Sequence, residues 1–484
     1  MLPHAGDLMR REVLLPLIVA CALFVENMDS TVLATALPVI AQDLGTEPIA
    51  LKLALTSYLL GLAVFIPVSG WIADRFGARP TFVAAIGVYL FGSLCCAAGG
   101  SLGELVAARL VQGAGGAMMV PVGRLVILRS VPKAQLVQAM AWLTIPALVG
   151  PVMGPPLGGL IATYAHWRWI FLINLPIGLI GIVLAWRFMP DLRDAQPRPL
   201  DVAGFLLSGL GLGLTIFGFS SFGGHLWSDE VALMVLLTGV ALLAGYVVHA
   251  RRHAHPLIDL RLFRLPTFRI GVVGGSLFRI GVGATPLLLP LMLQLGFGLT
   301  PLQSGSITFV SAVGAMFMKT LTARIFRRFG FRSTLIGSAL VAALLLGLQG
   351  WFQPDWSYPL MLSILLLGGC FRSLQFTGLN ALSYDEVGNA RMSQATSLSS
   401  MMQQLSLSLG VTLGAFALGL SGFFTGTDTT ELVNFRFAFM AMAGIALLSI
   451  LFLLRLPLNA GHELAGRPAV EAQVRPQQEA AGAG

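Results

Sequence analysis

Gly70-Trp-Ile-Ala-Asp74-Arg75-Phe-Gly77-Ala-Arg79-Pro-Thr81 decides the fold, because its second part returns as Arg328-Phe-Gly-Phe-Arg332-Ser-Thr334. Each copy follows the second apolar stretch of its half and forms a short, basic turn. A chain that repeats such a turn at corresponding places is built from two halves of like orientation. Everything between the copies must therefore contain a whole number of repeat elements plus any insertion.

Working outward, apolar stretches of about 20 residues, the length that crosses a bilayer, fall near 14–37, 53–73, 81–99, 104–128, 138–161, 169–187, 202–221, 230–250, 270–292, 302–322, 333–351, 359–382, 394–422 and 435–455. The 484 residues are 56% hydrophobic and 11% charged, against about 25% charged in soluble domains. These numbers predict an all-α polytopic membrane protein of fourteen spans. The repeat divides it into an N-terminal six-helix bundle (14–187) and a C-terminal one (270–455), with two extra spans (202–250) inserted between them. Residues 1–13 and 456–484 are then terminal segments, the second disordered, and 188–201 is a linker. Residues 251–269 form a second linker, whose alternation of apolar and basic side chains suits either an interfacial amphipathic helix or a solvated connection.

The basic residues fix an orientation. With the N-terminus inside, the inner segments hold twenty-two and the outer ones only Lys52, Arg168 and Arg436. The positive-inside rule then puts both termini in the cytoplasm. The four cysteines all lie in apolar stretches, so no exported disulfide framework is expected.

Charge inside the spans is the functional signal. Glu26 and Asp29 are the carboxylates set well within an apolar stretch, where an ionised Asp costs roughly 2.5–3.5 kcal/mol. Their three-residue spacing puts them on one helical face, which should line an aqueous cavity. Asp29 lies roughly 12 Å, and Arg109 roughly 6–8 Å, from the outer ends of their spans at 1.5 Å per residue. They can pair if the first and fourth spans are neighbours. Arg279 and Arg372 lie deep in the ninth and twelfth spans, and Arg124 nearer the inner end of the fourth. The second half offers no intramembrane acid to neutralise its arginines, so they should face the cavity and meet an anion, or bond to Asn380, Gln375 and backbone carbonyls.

Four motifs in order carry a resemblance. They are Met28-Asp29-Ser-Thr-Val-Leu-Ala-Thr-Ala-Leu-Pro38, the turn 70–79, Arg109-Leu-Val-Gln112-Gly113, and Gly150-Pro151-Val-Met-Gly154-Pro155-Pro-Leu-Gly158-Gly159. Together with the runs 115–125 and 169–178, they make the chain resemble the fourteen-span drug:proton antiporters of the major facilitator superfamily over nearly its whole length. That resemblance implies the major facilitator fold and proton-coupled export of small, drug-like or amphiphilic molecules across a bacterial inner membrane. It implies that Asp29 carries the proton with Glu26 and Arg109, and that the fifth-span motif (Gly150, Pro151, Gly154, Pro155, Gly158, Gly159) belongs to antiport. Gating falls to Gly70, Asp74, Arg75, Gly77 and Arg79, with Arg328 and Arg332 in the second copy. Gly70 is expected at a close helix contact, and Asp74 with the arginines at a charge latch to a neighbouring helix end. The glycines of the fifth span also have a packing explanation, since small residues let helices approach closely.

Substrate contacts are expected from Arg279, Arg372, Arg124, Asn380 and Gln375. Two unneutralised guanidiniums fit an organic anion or a metal–carboxylate chelate such as a citrate complex, whereas Glu26 favours cations. An uncoupled facilitator is the third possibility. No phosphate-binding Gly-rich loop, metal-ligand spacing or hydrolase constellation is present, so no enzyme, cofactor, metal or nucleic-acid partner is expected. The partners are protons, a small-molecule substrate and the lipid bilayer, with the chain a monomer.

Overall fold

A computed structural model describes residues 5–130, 136–193, 199–221, 228–253, 256–388, 391–457 and 460–461. Lys133, Arg198 and the tail expected to be disordered beyond 461 lie outside them. Among the described residues the chain is helical with no strand, as lipid demands of any span whose backbone must satisfy its own hydrogen bonds.

The helices are α1 (Ala5–Asp43), α2 (Lys52–Phe76), α3 (Ala78–Ala98), α4 (Leu102–Ser130), α5 (Leu136–Tyr164) and α6 (Trp169–Phe188). There follow α7 (Val202–Ser221) and α8 (Asp229–Arg252), then α9 (Pro266–Gly296), α10 (Pro301–Phe329), α11 (Phe331–Gln349), α12 (Tyr358–Ser383), α13 (Met392–Thr425) and α14 (Leu432–Leu453). Thirteen of them are long and apolar enough to cross a membrane by the described residues, and α5 stands where the fifth span is expected.

The repeat is visible in the packing. In the first half α1 packs on α5 and α6, α2 on α4, and α3 on α4 and α6. In the second half α9 packs on α13 and α14, α10 on α12, and α11 on α12 and α14. The halves meet through α5 with α10 and α2 with α13, two seams that are images of each other under the repeat. Even the turns match. Gly77 joins α2 to α3 at φ +101°, and Gly330 joins α10 to α11 at φ +79°, values that favour glycine because it has no Cβ.

The inserted helices pair closely with each other, and α7 also rests on α2 and α13, beside one seam. Phe65–Phe205 and Phe219–Phe416 ring contacts at 5.7 and 5.8 Å fasten it on either side.

Three sequence expectations change. The 251–269 linker is not one amphipathic helix, although its Arg251, Arg252, Arg261, Arg264 and Arg269 are exposed: α8 runs to Arg252, a short 3₁₀ turn covers Leu260–Arg264, and α9 already starts at Pro266. Ile258, Leu262 and Phe268 are buried against the protein, so the apolar side of the pattern meets helices rather than lipid. Tyr246 holds Ile258 at both backbone groups, and Asp201 accepts from Gly204 N–H, His249 and Leu257 N–H. Burial opposes its charge, but those donors win and hold the Asp201 carboxyl below its usual range. The ninth span is also not a plain helix. It has π-turns at Ile270–Gly274 and Met292–Gly296, and Pro286 and Pro290 between them, a kind of break common at functional sites. Finally, the start of the expected tail is docked: Leu456 is buried and Gly461 N–H donates to Asp385.

Candidate functional site: a buried carboxylate cluster beside two inter-half cavities

Asp29 is wholly buried, although nothing apolar could compensate its charge. Four helices supply what does. Arg109 of α4 pairs with Asp29 Oδ2, while Gln112 Nε2 and Asn174 Nδ2 donate to Oδ1 at 3.2 and 3.0 Å. Ser93 of α3 accepts from the same two amides at 2.8 and 3.4 Å. The Arg109 guanidinium also donates to Gln112 Oε1 (2.6 Å) and the Ala54 carbonyl (3.2 Å), and stacks 4.3 Å above the Tyr58 ring. An ion pair removed from water survives only when its remaining donors and acceptors are also satisfied, and this one is. Protonating Asp29 would remove the negative charge that Arg109 pairs with.

Gly113, Gly61 and Gly115 explain how α4 comes so close. A Cβ on any of them would strike the backbone of α2, α4 or α3. Of the cluster, sequence reasoning found Asp29 and Arg109 but not Gln112, Asn174, Ser93 and Tyr58 as site residues. The available signal was that Gln112 follows Arg109 by three positions, on the same helical face.

Glu26 does not join Asp29's hydrogen bonds. Its carboxyl, with Oε2 unpartnered, faces a cavity of about 130 Å³ lined also by Arg124, Gly116, Leu62 and, from α13, Ser400, Gln403 and Gln404. Both halves thus contribute. A second cavity of about 130 Å³ lies between α1, α5, α9, α10 and α12. Arg372 enters it beside Thr31, Thr35, Pro151, Pro155, Thr308 and Ser311, and donates to Ser311 Oγ at 3.2 Å.

The other predicted contacts are placed differently. Arg279 is buried away from both cavities, donating to Asn380 Oδ1 at 2.8 Å and lying 5.5 Å over the Phe376 ring. Gln375, expected beside the arginines, points to α11, where it accepts from Ser338 at 2.6 Å. Within α12, Arg372, Phe376 and Asn380 recur every four residues, whereas Gln375 directly precedes Phe376 and faces α11.

The fifth-span motif is a packing ridge. A Cβ on Gly150, Gly154 or Gly158 would strike α1 at Phe24–Met28, Thr31 or Val32–Thr35, and one on Gly159 would strike Pro301 of α10. Gly305 returns the contact against Pro155, and Gln294 of α9 donates to the Thr35 carbonyl at 2.9 Å. These contacts close the halves at the end away from the Arg75 and Arg328 turns.

At the turn end, Asp74 pairs with Arg129 at the end of α4 at 3.4 Å. Arg79 lies over Trp186, and Arg75 is exposed. A Cβ on Gly77 would meet Asp191, itself paired with Arg193, and Ala78 N–H donates to Leu192 O. The second copy docks likewise: Arg332 donates to the Leu454 carbonyl at 3.0 Å, and Arg328 lies over Phe329. Gly70 is a correction, because a Cβ there would meet open space; close packing in this region belongs to Gly77.

Two bundles of like connectivity, meeting at symmetric seams around cavities with buried charge, define a membrane transport protein rather than an enzyme. The chain belongs to the major facilitator superfamily, whose family model matches residues 19–411 and 271–481. It is 39% identical over 451 residues to the "Putative multidrug resistance protein MdtD" of Salmonella heidelberg (strain SL476), covering 91% of this chain and 94% of that one. It is 38% identical over 455 residues to the protein of the same name from Escherichia coli O6:H1 (strain CFT073), covering 92% and 95%. Among solved structures it shares the fold of a D-xylose-proton symporter, with a TM-score of 0.65 at 15% identity over 93% of this chain and 98% of that one.

Proposed function

We propose that this chain is a proton-driven antiporter that exports small molecules from a bacterial cytoplasm. In this reading it has fourteen spans, both termini lie inside, and it works as a monomer in the inner membrane. The observation that carries the proposal is the Asp29 cluster: a fully buried carboxylate held by one guanidinium and two amides, with Glu26, one turn away on α1, lining a cavity between the halves.

Protonation of Asp29 from outside removes the charge that Arg109 pairs with, so the two states of the cluster differ by a broken ion pair. That difference biases the halves towards one access state. Substrate binding between the halves and proton loss to the inside complete the exchange. The contacts of Gly159 and Gly305 at the far end, with Glu26 and Arg124 lining a cavity nearer the turns, suit the inward-facing half of such a cycle. A membrane potential of 100 mV supplies about 2.3 kcal/mol per charge moved, enough for an approximately fifty-fold gradient.

The multidrug naming of the relatives supports drug-like substrates. A second reading, an organic anion or metal–carboxylate chelate, is favoured by Arg372, which enters the second cavity and donates to the neutral Ser311 hydroxyl.

The test is reconstitution into liposomes with an imposed pH gradient. Antiport predicts uphill substrate movement that a protonophore abolishes. Flux indifferent to the protonophore and to the gradient would instead identify an uncoupled facilitator.

A further inference from the structure

Asp29 is wholly buried: three donors occupy its oxygens, and it lines neither of the two cavities described above. A proton carrier must nevertheless exchange with water on the side where it discharges. Glu26 sits one helical turn away on the same face and borders the cavity. Near them is Tyr58, whose ring supports Arg109 while its hydroxyl, wholly buried, has no hydrogen-bond partner. Tyr89, the other buried phenol nearby, is already committed to the Val25 carbonyl.

Gly116 completes the arrangement. The position a Cβ would take there lies 3.3 Å from the Tyr58 hydroxyl and 3.8 Å from the Glu26 carboxyl carbon. The two buried, unsatisfied polar groups thus converge on one face of Gly116, where a methyl would crowd them. At about 30 Å³ per water, the adjoining 130 Å³ cavity, which Glu26 and Gly116 line, holds about four waters. Two orphaned polar groups beside one glycine are costly unless water or a proton visits them.

Resting on Asp29 as the carrier, we propose that Glu26 and the Tyr58 hydroxyl, which converge at Gly116, form with cavity water the relay by which Asp29 discharges to the cavity. Once Arg109 has moved off Asp29, the carboxylic acid gives its proton, through water, to the Tyr58 oxygen. That hydroxyl gives its own proton to Glu26, which releases it to the cavity. Asp29 ends as carboxylate, Tyr58 is unchanged, and one proton has been transferred. Tyr58 is a relay and positioning residue here, not a substrate ligand.

The experiment compares two fluxes in liposomes for wild type, Tyr58→Phe, Gly116→Ala and Glu26→Gln. Export driven by a pH gradient requires proton release, whereas substrate counterflow exchanges loaded carriers without it. Phe keeps the ring under Arg109, and Ala adds a methyl between the Tyr58 hydroxyl and the Glu26 carboxyl, where the nearby Leu62 methyl at 3.1 Å can give way. The relay predicts that all three variants slow gradient-driven export by about ten-fold or more, with counterflow of Tyr58→Phe and Gly116→Ala within about two-fold of wild type. Wild-type export by Tyr58→Phe and Gly116→Ala overturns the relay, and so does an equal loss of both fluxes. If Tyr58→Phe fails to fold, Gly116→Ala carries the same test alone. Failure here leaves Asp29 as carrier untouched, since that role is read separately from Asp29→Asn.

Discussion

The two halves share a backbone plan but treat buried charge in opposite ways. In the first, Asp29 and Arg109 neutralise each other and two amides complete their hydrogen bonds. In the second, Arg279 and Arg372 meet only neutral groups, Asn380 and Ser311. One half therefore contains a neutralised pair, and the other contains uncompensated positive charge, of which Arg372 enters a cavity. Under the proposed function, that difference would divide labour within a repeated scaffold: coupling in one copy, substrate recognition in the other.

The sharpest way to break that division is Arg109→Ala. It strands a buried carboxylate, and losing one partner of a buried pair costs roughly 3–5 kcal/mol. The variant should lose a large part of its thermal stability in detergent, and an added Asp29→Asn should restore much of it. If the single variant is as stable as wild type, the pair is not what satisfies Asp29.

Next in size is Arg372→Ala. Its guanidinium faces the cavity, and a charge-assisted hydrogen bond contributes about 1.5–3 kcal/mol. A carboxylate ligand should then bind about ten- to a hundred-fold more weakly, with little change in stability. Arg279→Ala should do the reverse, lowering stability while leaving ligand affinity nearly unchanged, because Arg279 is buried against Asn380 and Phe376. Titration of wild type and both variants with citrate and with a lipophilic cation separates the two arginines. Loss of affinity confined to Arg279→Ala would reverse their roles.

That contrast also marks how far the sequence could be read. The two halves were legible because the Arg75 and Arg328 turns repeat and apolar stretches announce spans. Asp29 and Arg109 were legible because a charge in an apolar run is expensive, and simple depth arithmetic puts them within reach of each other. Depth alone could not say which arginine faces the cavity. That depends on the rotation of α12 and the π-turns of α9, which neighbours and prolines set. Gln112, Asn174 and Ser93 were illegible as site residues, because neutral polar side chains in spans cost little and occur for many reasons. The linker misled for a related cause: an apolar stripe on a short segment buries equally well against lipid or protein, and Leu262 and Phe268 chose protein.

The smallest effect expected is at the turn end. Asp74 and Arg129 are part-exposed and 3.4 Å apart, so the pair contributes only about 0.2–1 kcal/mol. Asp74→Asn should slow turnover by about two- to five-fold and leave equilibrium substrate affinity unchanged, as measured by stopped-flow transport and binding. A large loss of affinity with normal turnover would contradict a gating role for that end.

The most direct test of the account is Asp29→Asn, which keeps the shape of the side chain and fixes it uncharged. Purified variant and wild type would be compared in liposomes for uphill transport driven by a pH gradient and for counterflow. The account predicts a folded protein that still exchanges substrate but accumulates none against its gradient, at any pH tried. Full gradient-driven accumulation by Asp29→Asn would contradict it.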